Sequence, residues 1–550
     1  MDLVFALDMS EEVTPSIFNR MRKIVNDFVQ DLKVTEGACP EGARVAVLSY
    51  SSTPKMHIRF TEFRKKQALL KALAKVNYEQ SADGRNIGLA MRFVARNIFK
   101  RARGGFLVRK VAVFITNGPS QETTSIMSAA LEFKALDITP VVISFSRVPE
   151  IQLPFQVDDT KTFQVLSLSR DRQEAKEQLQ SIRLCTFCFD KCRPNAQCGH
   201  VISPPPISVD MDMAFVVDGS SNMKMMDFGR IKGFLSSMLD MLMISRSPRT
   251  RDNRARVALV QYSPAGYFPR GRQNPANLEF GFMKYNSKNL MKRYIEDSFN
   301  KLDGPPGIGH TIEWTINNVF MSDATARRYK VIFVILAGET SSFDMEKLRA
   351  VSRQARCDGF VIFAISLAKE TIRNNLDDLV SFPIDQHAIR FVQLLDSEMT
   401  YAKRFARAFL NSLSLKINEY PHPDLQEECE REMDLYESET EVEETEREYT
   451  YGEEFKSYEL ISGEREAKAR YDEEEFEEYA GKKEAAEQIH TRHDLCFLEW
   501  DMGDCEDYAL KWHFDEDFQA CNQFWYGGCG GNANRFNTLE ECEDYCIKSQ

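Results

Sequence analysis

At 550 residues the chain is several times the length of a typical domain, so it is modular rather than built on one core. Glycine fills only 27 positions, far short of the one in three that a Gly-X-Y triple helix needs, and no run approaches the roughly 18 apolar residues of a membrane span. The net charge of −13 hides an asymmetry: residues 1–423 carry 58 Lys+Arg against 44 Asp+Glu, whereas 424–490 carry 8 against 26. A basic front with an acidic tail favours contact with polyanions or with itself.

The chain opens on DLVFALDMS (2–10), a buried strand in pattern, with no basic leader region or cleavage site. A helix is expected over 18–33, where Ile24, Phe28 and Leu32 share a face. The strand-like run VAVLSYSS follows at 45–52, then NIGLAMRFVARNIF at 86–99, VAVFITNG at 111–118 and VVIS at 141–144. The same order returns at 212–220 (DMAFVVDGS), 257–264 (VALVQYSP), 307–320 (GIGHTIEWTINNVF), 331–338 (VIFVILAG) and 363–366 (FAIS). The near-constant offset marks a domain duplication. Continuous apolar strands alternating with amphipathic stretches predict two α/β domains, each a parallel doubly wound sheet, over 1–182 and 209–416. Such sheets bind ligands at the carboxyl ends of their strands, which here are the loops after Leu7, Ile115, Val217 and Ile335.

Between the copies, 183–208 is a linker rich in Cys and Pro, stiffened by Pro204-Pro205-Pro206. Residues 417–492 read as an acidic disordered spacer, too poor in aliphatic side chains to offset chain entropy. Tyr449, Tyr451, Tyr458, Tyr471 and Tyr479 lie among its acids, a setting for tyrosine sulfation. The basic run RSPRTRDNRAR (246–256) is a candidate for heparin-like polyanions or a solvated loop. No nucleotide-binding or catalytic motif is present, so neither enzyme nor cofactor is expected, and nucleic acid is not an expected partner.

Thirteen cysteines, six of them between Cys496 and Cys546, suit an oxidising, secreted setting. Cys185, Cys188, Cys192 and Cys198, with His200 nearby, have spacings that suit zinc, but disulfides within or between chains are preferred. Cys429, placed in the spacer, is the leading candidate for an interchain bond, and Cys39 and Cys357 read as buried thiols. An odd total leaves at least one cysteine free or paired with another chain.

The duplicated domain resembles the von Willebrand factor A domain, which implies a metal-ion-dependent adhesion site: D-x-S-x-S after the first strand, a Thr from a second loop and an Asp from a third. The first copy offers Asp8 and Ser10, but Glu12, Arg85 and Asn117 stand at the other ligand positions. The second offers Asp218 and Ser220, but Asn222, Pro306 and Ala337 at the others. A hard divalent cation needs oxygen ligands, so both sites read as degenerate and the domains as binding partners without metal. Residues 493–547 resemble the Kunitz domain through Gly503, Phe524-x-Tyr526-Gly527-Gly528-Cys529, Asn534 and Phe536. That resemblance implies the pairs Cys496–Cys546, Cys505–Cys529 and Cys521–Cys542. It also implies a protease-binding loop at Cys505-Glu506-Asp507, whose acids oppose the carboxylate at the base of a trypsin-like pocket.

Two A domains, a spacer and a terminal Kunitz module resemble the C-terminal region of the long collagen VI chains, with the alpha-4 type matching in module order. The resemblance implies a triple helix upstream and an extracellular-matrix role. The domains would then support assembly with other collagen VI chains and contact matrix proteins and cell-surface receptors. The alternatives are a secreted Kunitz-type serine protease inhibitor and a metal-dependent adhesion ligand.

Overall fold

A computed structural model describes residues 1–32, 42–79, 81–99, 108–120, 123–189, 195–264, 273–321, 327–338, 342–367, 373–391, 394–426, 429–430, 496, 498, 501, 509–515, 520–526 and 529–546. It forms two compact units, Met1–Thr440 and Glu441–Gln550.

The first unit holds both copies of the repeat. In the first copy, β1 (Asp2–Asp8), β2 (Arg44–Tyr50), β3 (Pro54–Ile58), β4 (Lys110–Thr116), β5 (Ile138–Ser144) and β6 (Gln164–Ser167) form one sheet in the order β3-β2-β1-β4-β5-β6. In the second, β7 (Met211–Asp218), β8 (Ala255–Tyr262), β9 (Ala276–Phe280), β10 (Tyr329–Leu336), β11 (Phe360–Ser366) and β12 (Ala388–Arg390) form its counterpart, β12-β11-β10-β7-β8-β9. Both sheets are parallel except at one edge, where β3 and β9 run antiparallel to β2 and β8. The parallel, doubly wound sheet expected from sequence is present in each copy, with one antiparallel edge strand added. Only three residues join β2 to β3, and a connection that short can only reverse the chain. The central strands β1 and β7 are buried along their whole length, as layers of helix on both faces require.

The first helix spans Pro15–Asp31, with Thr14 Oγ1 accepting from Ile17 N at its start. Phe18, Met21, Val25 and Phe28 are buried against the sheet, and Leu32, expected inside the helix, is its C-cap. The described residues of the Cys/Pro segment are anchored to the folded unit. Cys185 and Phe187 are buried, Cys185 is bonded to Cys198, and Arg407 donates to the carbonyls of Pro204 and Pro205.

The two A-type domains share one hydrophobic core. The helix Asp396–Ser414 of the second covers its own sheet, with Phe405 and Phe409 against Phe363, and also packs on the helix Thr123–Ala135 of the first. Polar contacts reinforce the joint. Gln386 Nε2 donates to Thr124 O (3.3 Å), Asn411 Nδ2 to Val157 O (3.1 Å), and Arg92 and Arg96 both reach Asp385. The second domain also extends past residue 416. Tyr420 is half-buried against the core, its hydroxyl lies 2.7 Å from His387 Nε2, and Cys429 is bonded to Cys357. Residues 417–426 and 429–430, assigned to the spacer by composition, therefore belong to the folded unit. Residues 431–492, the rest of the expected spacer, lie outside the described residues.

In the second unit β13 (Ala509–Asp515) and β14 (Ala520–Tyr526) form an antiparallel hairpin beside the helix Leu539–Cys546. Disulfides join Cys496 to Cys546 and Cys521 to Cys542, and Cys529 is also disulfide-bonded. Asn534 is fully buried: its Oδ1 accepts from Phe514 N (2.8 Å), and its Nδ2 donates to Phe514 O (2.8 Å) and Leu498 O (2.6 Å). A core this small depends on such cross-links for several kcal/mol of stability.

Candidate functional site

The loops after β1 and β4 converge at the carboxyl edge of the first sheet. Asp8 is fully buried there, with both oxygens engaged. Its Oδ1 accepts from Ser10 N (2.9 Å); its Oδ2 accepts from Asn117 N (2.9 Å), Thr116 Oγ1 (3.3 Å) and Arg85 Nε (2.5 Å). Arg85 is 5% exposed. Its Nη1 donates to Pro119 O (2.7 Å) and its Nη2 to Glu12 Oε2 (3.0 Å). Burial works against the guanidinium charge, yet Asp8 and Glu12 outweigh it and hold Arg85 above its ordinary pKa. A cation is thus already present, and it belongs to the chain. The oxygen-ligand set a divalent ion needs does not fit here, because Arg85 Nε occupies the Asp8 oxygen that would face it. Gly118 makes room: a Cβ there would meet Arg85 Nη1 at 3.1 Å.

The second domain repeats the carboxylate without the arginine. Asp218 is fully buried; its Oδ1 accepts from Ser220 N (2.8 Å) and its Oδ2 from Ala337 N (2.8 Å). Asn222 fills the loop against Gly338, where a Cβ would stand 2.4 Å from Asn222 Nδ2. Ala337 supplies only a backbone N–H and Pro306 has no side-chain oxygen, so a metal does not fit this cradle either. Among the described residues, no group of three or more His, Cys, Asp or Glu side chains could hold a metal ion.

Sequence reasoning missed Tyr50 and Tyr262. Each ends the strand beside its aspartate, and its phenol is pushed well above the usual value, first by burial and then by Asp8 or Asp218. Alignment of VAVLSYSS with VALVQYSP carried that signal. It also missed Asp344, which is buried and accepts from Gly309 N (2.8 Å), His310 N (3.1 Å) and the His310 ring (2.5 Å).

Three further expectations change with the fold. Cys185, Cys198 and Cys429, named as interchain candidates, are bonded within the chain, and Cys357, expected as a thiol, is the partner of Cys429. Burial at sites close in space, invisible from linear spacing, decides these pairs. Cys188 is exposed and in no disulfide. In the basic run, Arg256 is fully buried and binds Asp212 through two 2.6 Å contacts, leaving Arg246, Arg249 and Arg251 as its exposed cations. Cys39, Cys192, Cys505, Glu506 and Asp507 lie outside the described residues.

Paired six-stranded sheets, each with an aspartate-centred loop at its carboxyl edge, define the class. The von Willebrand factor type A domain family matches residues 2–182 and 212–401, and the chain belongs to it. The Kunitz/Bovine pancreatic trypsin inhibitor domain family matches residues 495–547. More particularly, the chain is 42% identical over 430 residues to the collagen alpha-6(VI) chain of Mus musculus, covering 78% of this chain and 19% of that one. It is 38% identical over 428 residues to the collagen alpha-5(VI) chain of Homo sapiens (78% and 16%) and 38% identical over 432 residues to the collagen alpha-4(VI) chain of Mus musculus (78% and 18%). The chain spans about a fifth of the length of the curated relatives it matches. These identities do not separate the alpha-4 type from the alpha-5 and alpha-6 types.

Proposed function

We propose that this chain is the C-terminal, non-collagenous part of a collagen VI-type chain, secreted into the extracellular matrix, where it acts structurally and not as an enzyme. The A-domain pair supports assembly with other collagen VI chains and with matrix or cell-surface proteins, by contacts that need no divalent ion. The modules at 493–547 and 431–492 extend that scaffold. Module order favours the alpha-4 type within the family.

The observation that carries the metal-free reading is the Arg85 guanidinium on Asp8. An adhesion site whose own guanidinium occupies an oxygen of its central carboxylate denies that oxygen to an incoming ion. Protease inhibition is not adopted, because Glu506 and Asp507 stand where a trypsin-like enzyme wants a base and a small residue. Covalent assembly falls to Cys188, exposed and outside any intrachain disulfide, with Cys192 close in sequence. Non-reducing electrophoresis of secreted full-length protein tests this. The expected result is disulfide-linked multimers that C188S reduces; a wild-type sample that runs only as monomer overturns it.

A further inference from the structure

A cavity of about 380 Å³ lies at the amino ends of the first sheet's strands, on the face opposite Asp8. Three separate parts of the chain enclose it. The strand starts at Arg109–Lys110 and Ile138–Thr139 form the floor, the strap His200–Pro204 one wall, and Arg404 and Arg407 of the helix Asp396–Ser414 the other. The strap is held in place by Val201 N donating to Thr160 O (2.9 Å). Neither A domain has this cavity alone.

Its lining is strongly cationic. Arg109, Lys110, Lys134, Arg404 and Arg407 face it, against Asp137 and Asp159. Lys134 is held by the buried Asp158, Arg407 shares Asp159 (2.6 Å), and Asp137 stands 3.5 Å from Arg404. Lys110, by contrast, donates to the neutral carbonyl of Leu136 (3.3 Å). Burial lowers its pKa from the lysine value, opposed by Asp137 and Asp2 and aided by Arg404. The His200 ring nitrogens are buried and have no hydrogen-bond partner among the described residues, a state a polar ligand would relieve. Partly exposed rings of Phe163 and Phe189 add apolar faces, and Thr139 and Thr162 add hydroxyls.

Charge excess, an unsatisfied imidazole, hydroxyls and ring faces in one crevice suit a sugar ring bearing an anionic ester. We propose that the crevice between the A domains binds a sulfated saccharide, with a sulfate ester meeting Lys110, Arg404 and His200. Residues 246–256 are then not the principal polyanion site.

The test is calorimetric titration of the full-length protein with a heparin-derived tetrasaccharide at physiological salt. Binding should weaken at least tenfold in a K110Q/R404A variant and change less than twofold in R249A/R251A. R404A alone, a rim substitution, should weaken it at least threefold while the thermal midpoint stays put, which decides the matter if the double variant folds poorly. A desulfated tetrasaccharide and inorganic sulfate at equal concentration should bind at least tenfold more weakly. Equal binding by the desulfated sugar, tighter binding by a sulfotyrosine peptide, or unchanged affinity in R404A overturns the proposal.

Discussion

The two A domains are copies whose opposite ends have been treated differently. At the amino ends of the strands both keep the same device: Asp2 pairs with Arg44 in register across β1 and β2, and Asp212 with Arg256 across β7 and β8. At the carboxyl ends they diverge. The first domain neutralises Asp8 with its own guanidinium, whereas the second surrounds Asp218 with backbone N–H groups and a neutral tyrosine. At the shared end, removing either partner alone would leave a buried charge uncompensated. The other end surrounds its buried carboxylate in two chemically different ways, each compensating it differently.

That comparison can be broken or sharpened by experiment. The largest effect belongs to the buried pair of the second domain. Arg256 is fully buried, so D212A strands a charge and should cost about 4 kcal/mol in denaturant unfolding. D2A should cost less, because Arg44 keeps 22% of its side chain in water. Equal costs would show that burial does not separate the two pairs. Next, R85A should destabilise the first domain by about 3 kcal/mol by leaving Asp8 uncompensated. Adding E12S, R85T and N117D together should instead create Mg²⁺ binding visible by calorimetry, and the second domain should show none.

Acid should distinguish the domains by a smaller amount. His387 of the second domain is buried and lowered by burial to about 4. The unfolded chain therefore takes up a proton near pH 6.5 that the folded one refuses until about pH 4. Stability is full above the unfolded value and falls as pH drops through that window, by about 2 kcal/mol at pH 5. H387Q should flatten this slope, measured as the unfolding midpoint between pH 7 and pH 5. The smallest effect is at the exposed end of the arginine bridge. E12Q should change stability by less than about 1 kcal/mol, since Glu12 is 64% exposed.

The strands, the duplication and the loss of metal ligands were legible because each leaves a local pattern: continuous apolar runs, a steady offset, wrong side chains at fixed spacing. Arg85 could even be named as a cation in a cation's place. What was hidden depends on approach in space. The Cys357–Cys429 bond spans 72 residues with no periodic signal, and it draws into the fold a segment whose composition reads as spacer. The antiparallel edges escaped notice because a short strand beside a tight turn carries too few side chains to declare its direction. The crevice between the domains escaped for the same reason as any joint: its walls come from residues 108–110, 137–139, 200–204 and 404–407, none distinctive alone.

The helix Asp396–Ser414 has a mechanical consequence. Since its apolar side is embedded in the packing of both domains, tension transmitted along the polypeptide cannot peel one repeat away while leaving the neighbour intact. The pair would yield in a single event, acting as a stiff joint where a string of independent beads would give slack.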